Sequence, residues 1–235
     1  MTTTLITGAN KGLGLETARR LVAAGHTVYV GARDEQRGRR AAEQLGARFV
    51  LVDVTDDASV AAAAKTVEAE GGLDVLVNNA GIEVRGEDNG IPRAADTTAD
   101  EMRTVFETNV FGVVRVLHAF LPLLQRSAAP VVVNVSSGLA SLARLSDPDS
   151  PAHFYPAVAY PSSKAAVNMI TVQYAKAFPG MRINAVEPGF TDTDLNGRTG
   201  TQTVEQGAEI IVRAALTPPD GPTGGYVDVH GPLPW

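Results

Sequence analysis

The stretch that most constrains this 235-residue chain lies near its start. An apolar run at 3–7 passes through Thr7-Gly8-Ala9-Asn10-Lys11-Gly12-Leu13-Gly14 and continues with Leu15, Ala18, Leu21 and Val22 at helical spacing. A buried strand, a glycine-rich turn and a helix in that order make a βα unit. Glycines let the backbone come close to a pyrophosphate, and the unpaired N–H groups of a helix start attract one. The spacing is G-x-x-x-G-x-G rather than G-x-G-x-x-G, so at this point a plain tight turn remains the alternative reading.

The same alternation recurs along the chain. Strands are expected at 26–31, 47–52, 73–77, 130–135, 181–186 and 226–229. Helices are expected at 35–45 (capped by Asp34), 56–70 (stopped by Gly71-Gly72), 98 to about 126, 158–178 and 203–216. Pro122 should bend or break the long helix. The segment 82–97 reads as an exposed polar loop and 139–157 as irregular. This pattern predicts a single α/β domain over 1–235. Its expected architecture is a doubly wound Rossmann fold with a seven-stranded parallel sheet, order 3-2-1-4-5-6-7, and helices on both faces. Substrate loops are expected at about 138–157 and 190–203.

Composition narrows the partners. Lys+Arg 20 against Asp+Glu 26 gives a net charge of −6, which argues against nucleic acid and anionic membrane surfaces. With no cysteine there is no disulfide and no thiolate nucleophile, and the four histidines show no ligand spacing, so no metal site is expected. Neither a basic leader with an apolar core nor an uninterrupted apolar run of about 18 residues is seen. The expectation is a cytoplasmic protein without a membrane span.

Chemistry enters with Tyr160-Pro161-Ser162-Ser163-Lys164. Tyrosine and lysine at i and i+4 share a helix face, and an ammonium there favours the ionised phenol. Pro161 is tolerable only in a first turn, which puts Tyr160 at the start of its helix, at the ligand-facing edge of the sheet. After the second strand, where a NAD-binding unit carries an acid, stand Gly31-Ala32-Arg33. Arg33 with Lys11 could clamp a 2′-phosphate, which favours NADPH over NADH. Asn109 is ill-placed for a helix interior and is a candidate polar site. Phe154, Tyr155, Phe190 and Leu195 suggest an apolar pocket wall.

In their order along the chain, these motifs resemble the short-chain dehydrogenase/reductases, and within them the carbonyl reductases, over nearly the whole length. The likeness rests on Thr7 to Gly14, Asn78-Asn79-Ala80-Gly81, Asn109, Ser137, Tyr160 with Lys164, and Pro188-Gly189 with Thr193. Asn10-Lys11 and Ala32-Arg33-Asp34 give it its carbonyl-reductase flavour. The resemblance implies that Gly8, Asn10, Lys11, Gly12, Leu13 and Gly14 hold the pyrophosphate and adenosine ribose of NADP(H), with Arg33 at the 2′-phosphate and Asp53 and Val54 at the adenine. It further implies that Asn79, Ala80 and Gly81 wall the nicotinamide ribose, and that Pro188, Gly189, Thr191 and Thr193 flank the carboxamide and phosphates. Tyr160 would be the acid/base and Ser137 would orient the carbonyl, Ser136 pointing the other way. Lys164 would bind ribose and lower the Tyr160 pKa, and Asn109 would anchor a relay water.

The implied activity is NADPH-dependent reduction of a ketone or aldehyde to an alcohol, or the reverse. A non-catalytic NADP(H)-binding redox sensor is the alternative. An epimerase or dehydratase is a third reading that the short C-terminal region disfavours. Ser137 and Tyr160 are 23 positions apart, longer than is common in the family. It is still far short of the insertion that covers the dimer surface in some carbonyl reductases, so helices 98–126 and 158–178 are expected to pair in a homodimer or homotetramer.

Overall fold

Side chains alternate across each strand, so a strand buried on both faces must be apolar throughout. Val131-Val132-Val133 shows this, and so do Leu5 and Ile6, which enter cores on opposite sides of the sheet. The computed structural model describes residues 2–86 and 90–235. Its strands are β1 (Thr3–Thr7), β2 (Thr27–Ala32), β3 (Arg48–Leu51), β4 (Val75–Asn78), β5 (Val131–Val135), β6 (Arg182–Val186), β7 (Tyr226–Asp228) and β8 (Gly231–Pro232). They form one sheet in the order β3-β2-β1-β4-β5-β6-β7-β8.

The first seven strands are parallel, in the order expected. The eighth corrects the expectation of seven. Asp228 Oδ1 accepts from His230 N (2.7 Å) and Gly231 N (3.0 Å), and Gly231 takes a φ of 136°, which turns the chain back antiparallel on β7. Two residues, one of them Pro232, are too few to show a strand period. The tail then lays Trp235 on the Tyr226 ring, centroids 5.4 Å apart.

The helices are α1 (Gly12–Ala23), α2 (Glu35–Leu45), α3 (Asp57–Ala69), α4 (Ala99–Phe106), α5 (Gly112–Leu124), α6 (Leu142–Ser146), α7 (Ala159–Ala177) and α8 (Val204–Ala215). Leu21 of α1, Ala41 of α2 and Ile210 of α8 pack with Ile6, Val77 and Val133 on one face. Val60 of α3, Phe120 of α5 and Val167 of α7 pack with Leu5, Leu76 and Val132 on the other.

The long helix is interrupted, but not at Pro122, which sits inside the last turn of α5. The irregularity is a π turn at Glu107–Phe111. Asn109 lies in this turn and binds the Ile82 main chain through both Oδ1 and Nδ2, and such single π turns are frequent at functional sites. The run Ala99–Leu124 has the length and mean hydropathy (1.2) of a membrane span, yet half of its most apolar window is buried, with Val116, Leu117, Phe120 and Leu124 in the sheet's core.

Two loop expectations need revising. The segment 139–157 holds α6 and single turns at Gly138–Ala140 and Pro151–Phe154. The loop expected to be exposed at 82–97 begins half-buried; its part at 87–89 lies outside the described residues.

Candidate active site

All parallel strands end on the same edge, and between β1 and β4 the crossovers change direction and leave a crevice. Beyond those ends lies a cleft of about 590 Å³ lined by the glycine turn, the ends of β3 and β4, Tyr160, Lys164 and the segment after β6. Its first wall is made by the backbone. Gly8 (φ 66°) and Gly12 (φ 55°) take left-handed conformations. A Cβ on Gly14 would stand 2.5 Å from Asn79 Nδ2 and 2.7 Å from Gly8 O.

Asn79 clamps this turn from β4. Its Nδ2 donates to Thr7 O (2.8 Å) and Gly8 O (3.2 Å), while Thr7 Oγ1 accepts from Asn79 N and Ala80 N. The start of α1 has no side-chain cap and no acid in its first turn. Its free N–H groups and positive dipole end therefore suit a pyrophosphate, and the cradle has room for one.

At the adenosine end the predicted residues are only partly assembled. Arg33 is exposed and lines the cleft, as do Asp53 and Val54. Asp53 Oδ1 is engaged by Thr55 N (2.9 Å) and Thr55 Oγ1 (2.7 Å). Burial pushes its carboxyl up, but those bonds and the nearby Arg33 outweigh it and leave the pKa below the usual range. Lys11 also lines the cleft; its Nζ forms an exposed pair with Asp194 Oδ2 at 2.8 Å, and Asp194 also holds Arg198.

Beyond β6, Pro188 and Thr193 line the cleft with Asn10, Leu13, Ala80 and Gly81. Gly189 and Thr191 lie beneath that wall. Gly189 packs against Gln202, and buried Thr191 accepts from Gln202 Nε2 at 2.8 Å and donates to Pro188 O and Gly189 O.

The reactive cluster stands where β4, β5 and α7 meet. Ser137 follows β5, its hydroxyl accepts from Leu139 N (3.2 Å), and it stands near enough to Tyr160 to favour the ionised phenol. Ser136 points the other way, to Asn168 Oδ1 at 2.7 Å. Lys164 is buried, donates to Val135 O at 2.8 Å, and has its Nζ 5.7 Å from the Tyr160 ring centre. Asn109 and Lys164 flank Gly81: a Cβ there would lie 3.4 Å from Asn109 Oδ1 and 3.5 Å from Lys164 Nζ. The Asn109 amide is satisfied by Ile82 N, Ile82 O and Ser163 Oγ, so its side chain is committed to protein partners.

The electrostatics depart from expectation. Burial raises the Tyr160 phenol above its ordinary value, the Glu83 charge adds to this, and Ser137 only partly offsets it. Burial likewise pushes the Lys164 ammonium down, to about 8, and Lys164 is not among the groups that shift Tyr160.

Sequence reasoning missed the charged groups around Tyr160. Glu187 is half-buried, and desolvation raises its carboxyl while Gly189 N, Gly138 N and Arg144 oppose the rise. Tyr226 donates to Ser137 O. Glu83 pairs with Arg85 and accepts from Tyr155. The sequence offers only a faint signal: Glu83 stands two residues after the Asn-Asn-Ala-Gly turn, inside a segment whose polarity reads as exposure.

The family model described as short chain dehydrogenase matches residues 2–203. A short-chain dehydrogenase, anuI, of Penicillium roqueforti is 40% identical over 225 residues, covering 90% of this chain and 87% of the fungal protein. A (+)-neomenthol dehydrogenase of Capsicum annuum is 31% identical, covering 94% of this chain and 93% of its own. The solved structure of NADPH-bound carbonyl reductase from chicken fatty liver superposes with a TM-score of 0.86 at 28% identity, covering 100% of this chain and 99% of that one.

Proposed function

This chain belongs to the short-chain dehydrogenase/reductase family, and on that premise we propose that it reduces a ketone or aldehyde with NADPH, Tyr160 supplying the proton. One observation carries the reading: at the strand ends, a buried Tyr160 stands beside Ser137 with Lys164 one helical turn on, lining a glycine-rich cleft fit for a dinucleotide.

The cofactor, when bound, supplies the hydride. The glycine turn and the bare start of α1 would hold its pyrophosphate, Arg33 its 2′-phosphate, and Lys164 its nicotinamide ribose. The protein's own part is electrostatic and protonic. A carbonyl oxygen gaining negative charge accepts from Ser137 Oγ and Tyr160 Oη, and Tyr160 then transfers its proton to that oxygen. Lys164 steadies the phenolate that is left.

Leu195 lines the cleft, and Leu142, Phe154 and Phe190, each more than half exposed, are candidates for an apolar rim beside it. An apolar carbonyl compound fits that rim, and the relative named as (+)-neomenthol dehydrogenase supports the same substrate class. Phe111 and Val114 on the α4–α5 run and Met169 on α7 give an exposed apolar face on which a second copy would pair, in a homodimer or homotetramer.

The test is loss of NADPH absorbance across a panel of apolar ketones and aldehydes. The parent protein should turn over at least one, and Tyr160→Phe should lose roughly 10²–10⁴ in kcat. Undiminished turnover in that variant removes Tyr160 from its role.

A further inference from the structure

Most helices here are tied locally at their start. Asp34, Asp56, Thr98, Ser141 and Thr203 cap α2, α3, α4, α6 and α8, and α5 runs straight out of the π turn. Apart from α1, whose bare start faces the cleft, that leaves α7, which begins at Val158 with no side-chain cap. Its first turn carries Tyr160 and Pro161, and neither Pro161 nor Pro156 just before the helix has an N–H to contribute.

What holds this approach is distant in sequence. The Tyr155 hydroxyl donates to Glu83 Oε1, across 72 positions. Glu83 Oε2 is gripped by Arg85 through Nε at 2.8 Å and Nη2 at 2.7 Å. The Glu83 and Arg85 side chains are only 6% and 13% exposed, whereas a surface pair such as Arg39–Glu35 is more than half exposed on both sides. Surface pairs contribute little, while a shielded carboxylate that loses a partner is strongly penalised.

The geometry points to Glu83 and Tyr155 as positioning residues for carbonyl reduction: with Arg85 they tie the segment after β4 to the approach of α7, and the tie sets where the Tyr160 hydroxyl stands. This rests on the role proposed for Tyr160. The tie does what a cap does elsewhere, but from across the mouth of the site. The Glu83 charge, second to burial, also helps keep the Tyr160 proton in place.

The test uses the full chain with Tyr155→Phe, which removes one oxygen and keeps the ring, with Glu83→Gln, and with both. Each single variant should lower kcat for the carbonyl about tenfold, the scale of a lost bond to a charged group. KM for NADPH should stay within twofold. The double variant should be no slower than the slower single, because both break one tie. Amide hydrogen exchange at 158–163 should quicken in each, a readout that needs no turnover. Unchanged kcat with a lowered melting temperature would make Tyr155 and Glu83 a structural brace and overturn the inference, as would unchanged exchange at 158–163. A parent protein inert toward every carbonyl overturns the reductase reading instead, and the exchange data then decide the tie alone.

Discussion

The two banks of the cleft are built by different means. On the cofactor side the wall is main chain: Gly8, Gly12 and Gly14, the bare start of α1, and the Asn79 clamp onto Thr7 O and Gly8 O. On the side proposed for substrate, past the cleft's own lining, it is side chain: Glu83–Arg85–Tyr155, Glu187 with Arg144, and the exposed Leu142, Phe154 and Phe190. A main-chain wall accepts one ligand shape and tolerates almost no added atoms. A side-chain wall can be rebuilt without disturbing the fold. One scaffold can therefore keep its cofactor while its substrate changes.

The contrast breaks most readily at Gly14. A Cβ there would sit 2.5 Å from the clamped Asn79 amide, 2.7 Å from Gly8 O and 2.9 Å from Ala9 Cα, and the last two are backbone that cannot swing aside. Gly14→Ala should cost about 3 kcal/mol of stability, the upper end for overpacking, read as a lowered urea midpoint. NADPH binding, followed by fluorescence, should be lost with it. A stable variant that still binds would show the cofactor wall to be as pliable as the other.

The same division decides what could be read from the sequence. Strand order, the glycine turn and the layering follow from local signals, namely hydrophobic period, capping residues and glycine placement, and the structure agrees with them apart from β8. The Ser137–Tyr160–Lys164 grouping was legible because each member sits at a strand end or a helix start. The tie between Tyr155 and Glu83 was not, because a polar residue in a loop carries no local sign of burial; a partner 72 positions away supplies it. The Asn109 contact with Ile82 was hidden for a similar reason, its partner lying 27 positions away. Lys11 reads from its place in the turn as part of a phosphate clamp, and here its Nζ is paired with Asp194.

The cofactor side sharpens at Arg33. Lys11 is paired with Asp194, and Arg33 lines the same cleft as Asp53 and Val54. Arg33→Ala should raise KM for NADPH about tenfold, near 1.4 kcal/mol, and leave KM for NADH within about twofold. Equal effects on the two cofactors would mean that no 2′-phosphate is bound there. Greater loss with NADH would turn the preference round.

The smallest expected effect lies on the substrate rim, at Phe154. The ring is 77% exposed and touches His153 edge-on at 5.4 Å, so it contributes little to the core. Phe154→Ala should leave stability within about 0.5 kcal/mol and the NADPH KM unchanged. KM for an apolar ketone should rise roughly three- to tenfold, because a large exposed ring beside a site gains most of its contact from a bound apolar surface. A short aliphatic aldehyde, too small to reach the rim, should show no change. If both carbonyls weaken equally, Phe154 is shaping the loop 138–157 rather than meeting substrate. If neither weakens, substrate passes on another side, and the apolar rim of this bank belongs to a surface that the reaction does not use.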